Sequence, residues 1–242
     1  MRYALYYWPT IPGRGEFVRL ALEEAGVDYI DVAQGADGPA AAVEKMQAVM
    51  GDESFATPPF APPFLKAGSA VIAQVANILF YLGVHHGLSP QDEAGRLWVH
   101  QLQLTLADWV VEIHDTHHPL GPSLYYAEQK AEAKRRTTDF LSSRLPKYLG
   151  YFERVLERNP VGGECLAGNS LTYADLSLFL AVTGLRYAFP KSMKRLEPDY
   201  PLVAGLVARV GERPRIAAYL SSPRHQAFNE DGIFRHYPEL DT

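Results

Sequence analysis

The stretch that decides the fold is Ala61–Gly83, APPFLKAGSAVIAQVANILFYLG. Pro62 and Pro63 stiffen the backbone, and a bond to proline is nearly the only one that tolerates a cis peptide. Phe64-Leu65 and Val71-Ile72-Ala73 flank the turn Lys66-Ala67-Gly68-Ser69, as a hairpin requires. Val75, Ile78, Leu79 and Leu82 follow at i, i+3, i+4 and i+7, one apolar helix face, with Gly83 as its stop. A helix starting at Gln74, beside a backbone edge at the Pro62-Pro63 turn, offers free N–H groups and a positive dipole end. Those suit a small carboxylate-bearing peptide.

Upstream, strand and helix alternate. Tyr3, Leu5 and Tyr7 alternate with Ala4 and Tyr6 in a first strand, broken by Pro9-Thr10-Ile11-Pro12-Gly13. A helix with Phe17, Leu20, Ala21 and Ala25 on one face ends at Gly26, and Tyr29–Val32 makes a second strand. Pro39–Met50 holds a further helix. Downstream of Gly83 no strand pattern recurs. Leu102, Leu106, Trp109, Val110 and Ile113 share a face of a long helix that stops before Pro119. Ala127–Arg158 is helical by composition, with Pro146 set to start, break or kink a helix. Leu176, Phe179, Leu180 and Thr183 mark another helix, and Pro214–Leu220 a last short one. The order predicts an α/β layer at 1–83, a linker at 84–90, an all-α domain at 91–220 and a tail at 221–242. Phe228, Phe234 and Tyr237 predict that the tail packs on the body.

Composition narrows the function. A net charge of −5 argues against nucleic acid, which wants a basic surface. No apolar run reaches the roughly 20 residues that span a bilayer, and Arg2–Trp8 reads as a strand, not a signal peptide. The single Cys165 excludes an internal disulfide framework and fits a reducing compartment, so a cytoplasmic location is expected. The box Thr172-Tyr173-Ala174-Asp175 is a capping box with Asp for Glu, a folding element. His114, His117 and His118 sit at i, i+3 and i+4 beside Asp115, but no orienting partner is legible in sequence. No metal is expected there.

Three motifs in order resemble the cytosolic glutathione transferases, tyrosine type: Tyr7-Trp8-Pro9 leaving the first strand, Pro62-Pro63-Phe64-Leu65 through Gln74, and Gly168–Asp175. The resemblance covers nearly the whole chain. It implies a thioredoxin-like domain followed by a helical bundle, glutathione as co-substrate, a homodimer, and a detoxification role against a small hydrophobic electrophile. Tyr7 is then the thiolate-stabilising phenol, because a thiol with a pKa of about 8.5 is mostly protonated at neutral pH and the thiolate is the nucleophile. Arg14 adds positive field. Glutathione is expected against Trp8, Lys45, Pro62, Pro63, Gln74, Val75 and Asp108. The electrophile is expected against Ile11, His114, His118 and Phe234.

Two positions depart from the family pattern. Pro62 has no N–H to donate, and Val75 stands where the family carries a hydroxyl residue, so low glutathione affinity is expected. Those departures keep two alternatives open: a non-catalytic relative that binds ligands or partners, and a glutathione-dependent isomerase or peroxidase using the same thiolate.

Overall fold

The computed structural model describes residues 2–241. Strand β1 (Tyr3–Tyr6) leads through a Pro/Gly loop into helix α1 (Gly15–Ala25), then β2 (Tyr29–Asp31) and α2 (Gly38–Met50). The hairpin β3 (Phe64–Ala67) and β4 (Ala70–Ala73) is followed by α3 (Val75–His86). The four strands lie in the order β2-β1-β3-β4, with β1 parallel to β2 and antiparallel to β3. Tyr3, Leu5 and Tyr7 point into the core, while Tyr6 turns to the other face and stacks on Phe64 with 4.8 Å between centroids.

Gly83 does not stop α3. The helix continues to His86 and ends at Gly87, in the left-handed conformation at φ 72°. Gly83 is instead a contact point: a Cβ there would lie 2.6 Å from the ring of Tyr173. The missing side chain lets α3 and the second half of the chain approach.

That second half is helical. Helix α4 (Glu93–Asp115) buries Leu102, Leu106, Trp109, Val110 and Ile113, the face its spacing predicts. Helix α5 (Lys130–Asp139) passes through a π turn at Phe140–Arg144 into α6 (Leu145–Glu157). Pro146 sits in the first turn of α6, where its missing N–H costs nothing, and the wide turn just before it absorbs the misfit. Trp109 of α4 stacks on Tyr148 of α6 at 5.0 Å, and Glu112 accepts from Arg144 and from the Tyr148 hydroxyl. Helix α7 (Tyr173–Ala188) runs through the core, followed by α8 (Pro190–Leu196), α9 (Pro201–Gly211) and α10 (Pro214–Leu220). Helices α8 and α9 are additions to the elements expected from sequence; each carries proline in its first turn. No helix among the described residues is long and apolar enough to cross a membrane.

The capping box at α7 forms with a wholly buried carboxylate. Asp175 accepts from the Thr172 N–H and hydroxyl, each at 2.7 Å, and its second oxygen accepts from the Leu166 N–H at 2.7 Å. The Tyr173 N–H donates to the Leu88 carbonyl at 3.0 Å, tying this helix start to the segment after α3. The tail is fixed similarly: Asp241 accepts from the Lys191 and Ser192 amides and the Ser192 hydroxyl at the start of α8.

Asp175→Ala strands buried N–H donors, so unfolding free energy in urea is expected to fall by at least about 3 kcal/mol, with Asp175→Asn losing less. A loss below about 1 kcal/mol in the Ala variant contradicts this account. Asp241→Ala is expected to loosen the tail, read as faster limited proteolysis within 221–241 while the helical circular dichroism holds.

Candidate active site

Tyr7 leaves β1 pressed against the loop that opens α1. A Cβ on Gly13 would lie 2.3 Å from the Tyr7 hydroxyl, and one on Gly15 would lie 2.7 Å from its ring. Gly13 also has φ 46°, a conformation that suits glycine. The Arg14 N–H donates to the Tyr7 hydroxyl at 2.8 Å. One phenolic lone pair is thereby filled, and the phenolic proton stays available to an acceptor. Burial pushes the Tyr7 phenol above its ordinary pKa, while the Arg14 amide and the charges of Arg14 and Arg19 pull it back. The net rise keeps it protonated at neutral pH, a donor and not a base. Arg19 lies under the ring, 6.0 Å from its centroid, and is bound to Asp31 at 2.6 Å, to Glu16 at 3.3 Å and to the Pro12 carbonyl at 3.2 Å.

In front of this loop a cavity of about 610 Å³ opens between the Pro62-Pro63 turn, the start of α3 and the side of α4. Arg14, Pro62, Pro63, Gln74 and Val75 line it together. The Pro62-Pro63 bond is cis, and Gln74 holds φ 68° and ψ 124°. A non-glycine residue at positive φ is uncommon, and such strain concentrates at functional positions.

The remaining residues singled out in sequence scatter around this centre. Trp8 is exposed at the mouth of the β1 loop. Lys45 is exposed on α2, paired with Asp37 at 2.6 Å, and does not line the cavity. Asp108 is exposed on α4, beside the lining residue Ala107. Ile11 is half-buried in the loop. Phe234 is buried in the core against Gly184 and Phe228, so it presents no face to a ligand. Its neighbours do the presenting: the Ile233 carbonyl lies 2.8 Å from His117 Nε2, and the Arg235 charge acts on His114, His117 and His118.

The histidines gather at the end of α4. Burial pushes His114 down to about 4 and His117 to about 2, helped by neighbouring imidazoles and by Arg235, so these rings are neutral. Arg14 also acts on His114, which sets this cluster near the loop that holds Tyr7.

Two cavity residues escaped sequence reasoning. Gln103 Oε1 and His100 Nδ1 are buried with no partner among the described residues, and both residues line the cavity wall on α4. A signal existed: Gln103 interrupts the apolar stripe next to Leu102 and Leu106, and a buried amide without a partner is costly unless a ligand supplies one.

Comparison with known proteins agrees with the geometry. Residues 114–223 match the family model described as the glutathione S-transferase C-terminal domain. The chain is 26% identical over 229 residues to a glutathione S-transferase of Plasmodium falciparum, covering 93% of this chain and 97% of that one. It is 28% identical to glutathione S-transferase P 1 of Xenopus laevis, covering 91% and 92%. A Pi-class glutathione S-transferase structure from Onchocerca volvulus superposes with a TM-score of 0.68 at 22% identity, covering 90% of this chain and 92% of that one. Strand order, the two-part architecture and relatives matched over nine-tenths of their length together support membership of the glutathione transferase family.

Proposed function

We propose that the chain is a glutathione transferase in which Tyr7 favours the glutathione thiolate for attack on a hydrophobic electrophile. The observation that carries this reading is the Tyr7 hydroxyl, buried yet holding its proton free because Arg14 N–H fills its acceptor side. A phenol fixed this way donates to a sulfur anion and so lowers the thiol pKa. Residues 1–83 act as the glutathione-binding domain and 91–220 as the helical domain that walls the electrophile. The Pro62 carbonyl accepts from the peptide, and the Gln74 side chain with the first N–H groups of α3 holds its γ-glutamyl carboxylate. Trp8 and Arg14 flank the thiolate, while Ile11, His114 and His118 face the electrophile.

Supporting a homodimer in the cytoplasm are the exposed apolar residues Phe60, Leu104 and Val111 and a single cysteine at Cys165. Across such an interface Asp108 meets the amino group of glutathione. A detoxification role follows from the reaction class. The non-catalytic alternative draws support from Val75, whose side chain cannot hydrogen-bond, and from Pro62, which has no N–H.

In Tyr7→Phe, the bound glutathione thiol is expected to titrate about one to two pH units higher, read from thiolate ultraviolet absorbance. The sign follows from the donor: removing a hydrogen bond to the charged form raises the pKa. Turnover near neutral pH should fall roughly 10- to 100-fold. An unchanged titration removes Tyr7 from this role, and no bound thiolate in the wild type favours the carrier reading. Val75→Ser restores a donor at the carboxylate, and calorimetry is expected to give about 10-fold tighter glutathione binding. Equal affinity would mean another donor already holds that carboxylate.

A further inference from the structure

Three imidazoles converge where α4 ends. His114, His117 and His118 each offer a ring nitrogen within 4.8 Å of the other two. The ring centroids are 4.7 to 5.0 Å apart. His117 and His118 bring their Nδ1 atoms to 2.5 Å from each other. Both rings are buried, His114 half-buried. Lone pairs facing one another at such range repel unless a proton or a cation lies between them.

The tail fixes the tautomer of His117. The Ile233 carbonyl can only accept, so His117 Nε2, 2.8 Å away, carries that ring's proton. His117 Nδ1 is therefore a bare lone pair aimed into the cluster. A histidine whose far nitrogen donates to a carbonyl while the near one faces a shared point is the usual arrangement of a metal ligand and its orienting partner. Sequence spacing could not reveal this partner, which comes from 116 residues away.

A plain helix-end role fits less well. A helix C-terminus favours cationic imidazoles, whereas these three are buried together beside the charges of Arg14 and Arg235. We propose that His114, His117 and His118 form a mononuclear binding site for a divalent late first-row metal ion of the Zn²⁺ type, with an open fourth position. Neutral imidazole nitrogen is the right donor for this class, and three histidines with one open position is a known zinc arrangement. Tetrahedral ligation at about 2.0–2.1 Å sets ligand nitrogens roughly 3.3 Å apart. The nitrogens here lie on either side of that value, so small side-chain rotations suffice. The other charges facing the cluster are the guanidiniums of Arg14 and Arg235 and the half-buried Asp115 next to His114. Those guanidiniums disfavour a bare dication and favour an anion, such as hydroxide or chloride, as its fourth ligand.

The test uses the full chain, stripped with a chelator and exchanged into chelator-free buffer. Cobalt(II) titration is expected to saturate at one equivalent with the visible bands of four-coordinate cobalt, and Zn²⁺ to displace it at one equivalent. In the wild type, zinc should move the ring-proton resonances of three of the eight histidines. His114→Asn and His118→Gln are each expected to weaken Zn²⁺ binding at least about 10-fold, with unchanged circular dichroism. His85→Gln, at an exposed histidine on α3, is expected to bind as the wild type does. Absence of saturable binding, an octahedral cobalt spectrum, or perturbation of histidines other than these three overturns the proposal. So does binding that survives His114→Asn and His118→Gln together.

Discussion

The constraint on which the site depends is the guanidinium of Arg19, fully buried among Glu16, Asp31 and the Pro12 carbonyl. Four pieces of chain meet through it. Asp31 ends β2, Pro12 belongs to the loop after β1, Glu16 opens α1, and Glu16 in turn accepts from Tyr219 of α10 at 3.1 Å. A buried ion pair gives little net stability against an apolar replacement, because desolvation offsets the attraction. Its effect is on geometry: removing one partner leaves an uncompensated charge, so alternative packings of this loop are strongly disfavoured. The loop so fixed holds Gly13, Arg14 and Gly15 against Tyr7. The placement of one hydroxyl thus rests on charges that never touch a ligand.

Helix α4 is the second organising element, because it serves three surroundings along one length. Near its start His100 and Gln103 face the cavity; in its middle Trp109 anchors the helical core on Tyr148; at its end the histidines gather under the tail. Its position against the first domain is set from outside, by the Tyr173–Leu88 hydrogen bond and by the close approach of Tyr173 to Gly83. The buried capping box at Asp175 therefore does more than start α7. It fixes Tyr173, and through it the width of the cleft between α3 and α4.

What was legible in sequence was what local spacing encodes. The Pro62-Pro63 turn, the hairpin, the apolar face of α4 and the box at Thr172–Asp175 each have a signature within about ten residues, and each appears in the fold. Gly83 illustrates the limit. A glycine near a helix end reads as a stop, yet its reason lies in an aromatic ring 90 residues away, which no window contains. Helices α8 and α9 lie outside the elements expected from sequence, although Pro190 and Pro201 stand in their first turns and Val203, Leu206, Val207 and Val210 follow helical spacing. Phe234 reads as a tail aromatic that packs on the body and reaches the electrophile; the gap left by Gly184 places it in the core instead. The histidine spacing was plain, while the carbonyl that orients His117 was not.

The cavity itself carries an imbalance that explains the departures at Pro62 and Val75. Both side chains are apolar, yet Gln74 beside Val75 keeps a backbone conformation that costs on the order of 1–3 kcal/mol. Such strain persists only where surrounding packing enforces it. Here the hairpin on one side and the first turn of α3 on the other flank Gln74, and Gln74 through Asn77 line the cavity. Across from them, Gln103 and His100 hold buried polar atoms that nothing among the described residues satisfies. Polar capacity has been lost from the strand side of the cleft and is present, unspent, on the α4 side. The unpartnered polar atoms of the cleft therefore lie on α4, at Gln103 and His100, opposite the apolar side chains of Pro62 and Val75.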